Sequence, residues 1–192
     1  MNTKPLKKGA TYDDLRDVPD NYVAEMFDGE LYATPRPALP HAHAATVLGV
    51  KLGGPFHRHG PGGWVILDEP RIRFGDEMRI PDLAGWRRER SVVPQTGPFT
   101  VIPDWVCEVL SRSTIREDRT EKMPLYVRHG VSWAWLLDPV ARVLEAYRRE
   151  RDAWVVIGAF DGPRVRVEPF AEVEIDLGLL WSSLDPIVPS EP

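Results

Sequence analysis

The chain carries one cysteine, Cys107, in 192 residues. No disulfide can form within it, and a reducing compartment is the expected setting. No apolar run approaches the length that spans a membrane. The basic start, with Lys4, Lys7 and Lys8, leads into no apolar stretch of signal-peptide length. Positive charge is not in excess either, since 24 basic and 29 acidic side chains give a formal charge of -5. That balance excludes a protein that coats nucleic acid through a broad basic stripe, but not an enzyme that touches it locally. Internal repeats, low-complexity tracts and linkers are missing as well. What is present is a folding sequence, 43% hydrophobic with seven tryptophans, large enough to bury a core without structural zinc. The expectation is a cytoplasmic protein with a flexible tail at residues 1–10, one domain over 11–182 and a loose tail at 183–192.

Hydrophobic spacing then predicts the elements. Thr11 followed by Tyr12-Asp13-Asp14 opens a helix with early acids. Glu25 to Tyr32 reads as a hairpin turning at Asp28-Gly29. Ala45, Leu48 and Leu52 predict a helix from His41 to about Phe56, stopped by Gly53-Gly54-Pro55. Strands follow at Trp64–Leu67, Arg71–Phe74, Ile80–Trp86 and Trp105–Leu110, with a polar loop over 87–103. Thr114 and Glu117 form a capping-box pattern for a helix that ends at Gly130, and Pro124 predicts a kink inside it. Trp133–Leu137 is apolar throughout, as a strand buried on both faces should be. Strand, helix and strand across 105–137 thus form a βαβ unit. A hairpin over 143–157 and a late strand at Arg164–Val167 complete a mixed sheet.

Within Trp105 to Leu110, alternation puts Trp105, Cys107 and Val109 on one face and Val106, Glu108 and Leu110 on the other. A charge at Glu108 between two apolar neighbours requires a partner. A metal, an arginine or Lys122 would each serve. Pro81-Asp82 stands near the start of the preceding strand. Carboxylates from two adjacent strands are the hard oxygen ligands that magnesium takes while keeping places for water and phosphate. Such an ion acidifies its water and offsets charge on a phosphate, and a lysine alongside stabilises the same charge. A nuclease core of the PD-(D/E)XK class has that lysine two residues after the second acid, where this chain has Leu110. Lys122, on the following helix, has a stem long enough to bring its amine back to the strand. Asp118, four residues earlier, shares its helix face, either orienting it or forming an ordinary surface pair.

Asp28-Gly29-Glu30-Leu31, Pro81-Asp82-Leu83-Ala84, Glu108-Val109-Leu110-Ser111, Ser113-Thr114, Asp118-Arg119 with Lys122, Tyr126 and Leu137-Asp138-Pro139 carry a resemblance. In this order, from about residue 11 to 180, they resemble the Uma-two family of bacterial proteins. The resemblance implies an α/β fold: a restriction-endonuclease-like mixed β-sheet flanked by helices, with additional hairpins. It implies a metal-dependent endonuclease that hydrolyses phosphodiester bonds of DNA. Asp82 and Glu108 would hold Mg2+ or Mn2+, joined by the Val109 carbonyl and by Glu30. Lys122 would take the role of the displaced strand lysine, with Asp118 and Tyr126 behind it. Arg112 stands where the family often has a proline, and Arg112, Arg87 and Arg88 are the expected phosphate contacts. A homodimer is expected because a duplex offers two strands. Two rival readings stay open: a nuclease fold that binds nucleic acid or regulates without cutting, and a protein-interaction module.

The remaining polar residues are given plainer roles. His41 and His43 fall at a helix start, where their spacing points them apart, so structural or surface roles are expected, not zinc binding. His57 and His59 lie in a Gly-Pro-rich loop and are read the same way. Cys107, opposite Glu108, is packing and not a nucleophile. Trp133 and Trp135 belong to the core or to an interface.

Overall fold

A computed structural model describes residues 5–19, 21–35, 38–58, 63–90 and 93–182. His59, residues 1–4 of the N-terminal tail and the C-terminal tail over 183–192 lie outside the described residues.

The alternating segments assemble into two main sheets. The smaller has the order β1 (Lys7–Lys8), β3 (Glu30–Pro35), β2 (Tyr22–Phe27), β6 (Glu77–Arg79), β5 (Ile72–Phe74). The larger runs β11 (Ala153–Phe160), β10 (Val143–Glu150), β9 (Trp133–Asp138), β8 (Trp105–Val109), β7 (Leu83–Arg87), β4 (Trp64–Asp68). Within it β8 and β9 are parallel and every other pair is antiparallel, so the sheet is mixed. The two faces of β8 feed separate cores, as alternation requires. Trp105, Cys107 and Val109 pack with Leu48 and Leu52 of α1 (Leu39–Leu52). Val106 and Leu110 pack with Met123, Leu125 and Tyr126 of the helix that follows β8.

That helix is not continuous. It runs as α2 (Ile115–Glu117), a π-helical turn over Asp118–Lys122, and α3 (Met123–Arg128). Pro124 has no N–H to give the preceding turn and its ring crowds the carbonyl behind it. The wider π turn just before it accommodates both demands. Gly130, at φ 91°, lies just beyond the helix in the left-handed region that only glycine adopts freely. The capping box is not made, because Glu117 reaches Arg79 at 3.3 Å instead.

Two further segments depart from their expected form. Lys7 and Lys8, placed in a tail by the sequence, pair with Leu31 and Glu30 along the edge of β3. Lysines suit such an edge because their charge discourages further pairing. The strand expected over Ile80–Trp86 begins only at Leu83, as β7 of the larger sheet, while β6 of the smaller sheet ends before it at Arg79. Pro81 cannot donate to a ladder, and Pro81-Asp82 becomes the crossing between the sheets. This crossing places Asp82 at their junction.

Candidate active site

The ladder between β7 and β8 pairs Leu83 with Cys107 and Ala84 with Val106. Continued by one residue, this register brings Asp82 beside Glu108. Asp82 Oδ2 accepts the Val109 N–H at 2.7 Å, which fixes the acid to the end of β8. A strand residue's N–H and C=O point to the same side, so the Val109 carbonyl faces the Asp82 side as well.

Glu108 is 1% exposed, and each of its oxygens has a donor. The Tyr126 hydroxyl donates to Oε1, and Lys122 Nζ donates to Oε2 at 3.1 Å. Lys122 Nζ also stands 3.5 Å from Asp118 Oδ1 and 3.6 Å from Glu25 Oε1. Glu25 is anchored in turn by the Ile80 N–H at 2.8 Å. Three carboxylates thus surround one ammonium. Burial pushes Glu108 well above the usual carboxylate range, with Lys122 pulling the other way and Asp82 and Asp118 adding to the rise. Burial likewise lifts Asp118 to about 6. Burial alone would discharge Lys122, but Glu108, then Glu25 and Asp118, outweigh it and hold its pKa above the ordinary value. The ammonium is the fixed charge of the cluster.

Asp82, Glu25, Asp118 and Lys122 line a cavity of about 60 Å³, room for a few water-sized groups. The Asp82 side chain is 18% exposed. Magnesium needs one or two carboxylates and takes its remaining oxygens from water or phosphate. Among the described residues no three His, Cys, Asp or Glu side chains converge as a ready-made cage. Asp82, Glu108 and the Val109 carbonyl fit the smaller requirement, provided Glu108 yields an oxygen that Lys122 or Tyr126 now engages.

Asp82, Glu108, Val109, Asp118, Lys122 and Tyr126 are therefore brought together. Glu30 is not. Its Oε2 accepts the Tyr32 hydroxyl at 2.9 Å and Lys8 lies 3.1 Å from its other oxygen. The hairpin pairs Glu25 with Tyr32 and Phe27 with Glu30, so Glu30 sits two residues nearer the turn, roughly 7 Å further along the strand. Glu25 takes the place expected for it. Arg87 and Arg88 end at the far end of β7, five residues or roughly 17 Å from Asp82. The Arg87 guanidinium lies 4.1 Å over the Trp64 ring, and Arg88 donates to the His57 and Trp64 carbonyls at 2.7 and 3.0 Å. Arg112 is exposed in the turn whose Ser111, Ser113 and Thr114 line the cavity.

Sequence reasoning passed over Glu25 and gave His41 only a structural or surface role. Glu25 is a buried acid between Ala24 and Met26 in a strand, the same signal that singled out Glu108. His41 Nε2 lies 3.2 Å from Asp82 Oδ2. Two other histidines serve structure: His43 Nε2 meets the Leu179 carbonyl at 3.1 Å, and His57 Nδ1 takes the Ile66 N–H at 3.1 Å. Cys107 is fully buried, and burial pushes its thiol up, away from reactivity.

The mixed sheet has a restriction-endonuclease-like fold, with Asp82 just ahead of β7 beside Glu108 of β8 and the Lys122 amine returning from the next helix. The chain belongs to the Uma2 family, described as "Putative restriction endonuclease", whose model matches residues 10–179. In structure it is similar to a crystal structure of "a putative nuclease belonging to DUF820" from Anabaena variabilis ATCC 29413, at TM-score 0.73 and 24% identity. That likeness covers 91% of this chain and 99% of the other, and it establishes the shared fold. No curated protein matches the chain. Among the described residues no helix is long and apolar enough to cross a membrane.

Proposed function

We propose that this protein is a metal-dependent endonuclease that hydrolyses phosphodiester bonds of DNA. Asp82, Glu108 and the Val109 carbonyl would hold Mg2+ or Mn2+, and Lys122 would serve the scissile phosphate. The observation that supports this most is the buried approach of Lys122 Nζ to Glu108 Oε2 at 3.1 Å. It returns an amine to the second acid although the strand itself has Leu110 where the lysine would stand. Bound there, a divalent ion would acidify a water ligand and draw charge from the phosphate.

The chain's own residues supply the rest. Lys122, kept cationic by its carboxylates, is placed to stabilise negative charge developing on phosphorus-bound oxygen. Tyr126 holds Glu108 in one orientation by donating to Oε1. The buried surroundings of Glu108 and Lys122 keep bulk water away and strengthen each of these interactions. Arg112, exposed in the turn between Ser111 and Ser113, would meet a neighbouring phosphate. A cytoplasmic homodimer, one protomer for each strand of a duplex, completes the reading.

One observation favours a second reading, a nuclease fold that binds nucleic acid without cutting it. Both oxygens of Glu108 are engaged by protein donors, so an ammonium stands where a metal would draw on that acid. Plasmid cleavage separates the two. Nicking that needs Mg2+, stops with chelator and is lost in Lys122→Ala and Asp82→Asn is the expected result. DNA binding with no cleavage at any Mg2+ or Mn2+ concentration would establish the second reading.

A further inference from the structure

The inward stripe of α1 is His41, Ala44, Leu48 and Leu52. The last three are apolar anchors. The first is an imidazole, 7% exposed, at the helix end beside Asp82. His41 Nε2 lies 3.2 Å from Asp82 Oδ2, and because an ionised carboxylate only accepts, a proton shared between them would come from Nε2. The same oxygen takes the Val109 N–H at 2.7 Å. One oxygen of Asp82 thus accepts from β8 and faces an imidazole of α1.

The other imidazole nitrogen, Nδ1, is buried with no hydrogen-bond partner among the described residues. Buried polar atoms are nearly always satisfied, and an orphan calls for an explanation. For packing alone, another apolar residue would continue the stripe without leaving a nitrogen unpaired. His41 and Asp82 also line both the site cavity and an adjoining one of about 220 Å³, so the pair stands at the boundary between them.

We propose that His41 is a positioning residue of the site. By holding Oδ2 it leaves Oδ1 of Asp82 to face a divalent cation, so that the carboxylate is oriented before the ion arrives. Partners that orient a ligand in this way commonly set metal affinity. The inference rests on the nuclease reading above.

Calorimetric titration of the full chain with MnCl2 tests it in wild type, His41→Ala and His41→Gln. His41→Ala is expected to lose about 10–100-fold in affinity. His41→Gln, whose amide can donate from the Nε2 position, is expected to recover most of it. Binding by wild type with unchanged affinity in His41→Ala would overturn the positioning role and leave the nuclease reading intact. No Mn2+ binding by wild type would overturn both. Should His41→Ala fail to fold, nitrogen-15 NMR of the wild-type imidazole decides. A proton on Nε2, with a resonance that moves in Asp82→Asn, supports the pairing, and a proton on Nδ1 alone overturns it.

Discussion

Lys122 and Glu108, fourteen residues apart in the chain, form an ion pair at 3.1 Å with both side chains more than nine-tenths buried. Removing one member of such a pair strands the other charge. Lys122→Met is expected to cost about 3–5 kcal/mol in urea denaturation. Lys122→Met combined with Glu108→Gln should cost clearly less than the two single changes added together. Additive losses would contradict a direct interaction.

Tyr126 donates to the Glu108 oxygen that Lys122 does not reach. Tyr126→Phe keeps the ring in its core position and deletes only the donor. A loss of about 1–3 kcal/mol is expected, the cost of leaving a buried acceptor unsatisfied. An unchanged denaturation midpoint would show that Glu108 is satisfied some other way.

Burial lifts Asp118 to about 6, from about 3.9 in an unfolded chain. Between these values the folded state keeps a proton that the unfolded state has released. The contribution of Asp118 to stability therefore falls as pH rises from about 4 to 6. Asp118→Asn lacks this titration, so its stability relative to wild type should climb across that window, by on the order of 1–3 kcal/mol. A difference that stays flat from pH 4 to 7 would place Asp118 in the ordinary carboxylate range.

Arg112 and Arg87 look alike in sequence and differ in setting. Arg112→Ala is expected to weaken DNA binding several-fold and to lower the salt dependence by about one phosphate contact. Arg87→Ala should leave affinity unchanged and cost about 0.5–2 kcal/mol of stability through the lost stacking on Trp64. Equal effects on DNA affinity would contradict this division.

Local patterns made much of this legible. The Asp28-Gly29 turn, the face alternation of β8 and the parallel β8–β9 pair all follow from period-two spacing and turn chemistry. Glu108 announced itself as a charge on an apolar strand face, and its link to Lys122 followed from the reach of a lysine stem. What depends on two sheets meeting was harder to read. Pro81 delays one expected strand to Leu83 and carries the chain from one sheet to the other, and nothing local says that β6 and β7 belong to different sheets. The π turn before Pro124 sets where Lys122 points, whereas helical spacing alone predicts a plain α-helix. His41 occupied the first position of an apolar stripe, a readable signal, but its partner Asp82 lies forty-one residues on and is reached only through the tertiary fold. Glu30 entered through the family resemblance, and Glu25 was read only as part of the hairpin. Hairpin register decides between the two acids, and it places Glu25 at the site.

The most direct test is Mn2+ binding, measured by calorimetry on wild type and on the double variant Asp82→Ala with Glu108→Ala. Binding by wild type that disappears in the double variant is the expected result, and it would locate the ion at the junction of β7 and β8. Equal binding by both proteins, or none by either, would contradict a metal-dependent nuclease site built on Asp82 and Glu108.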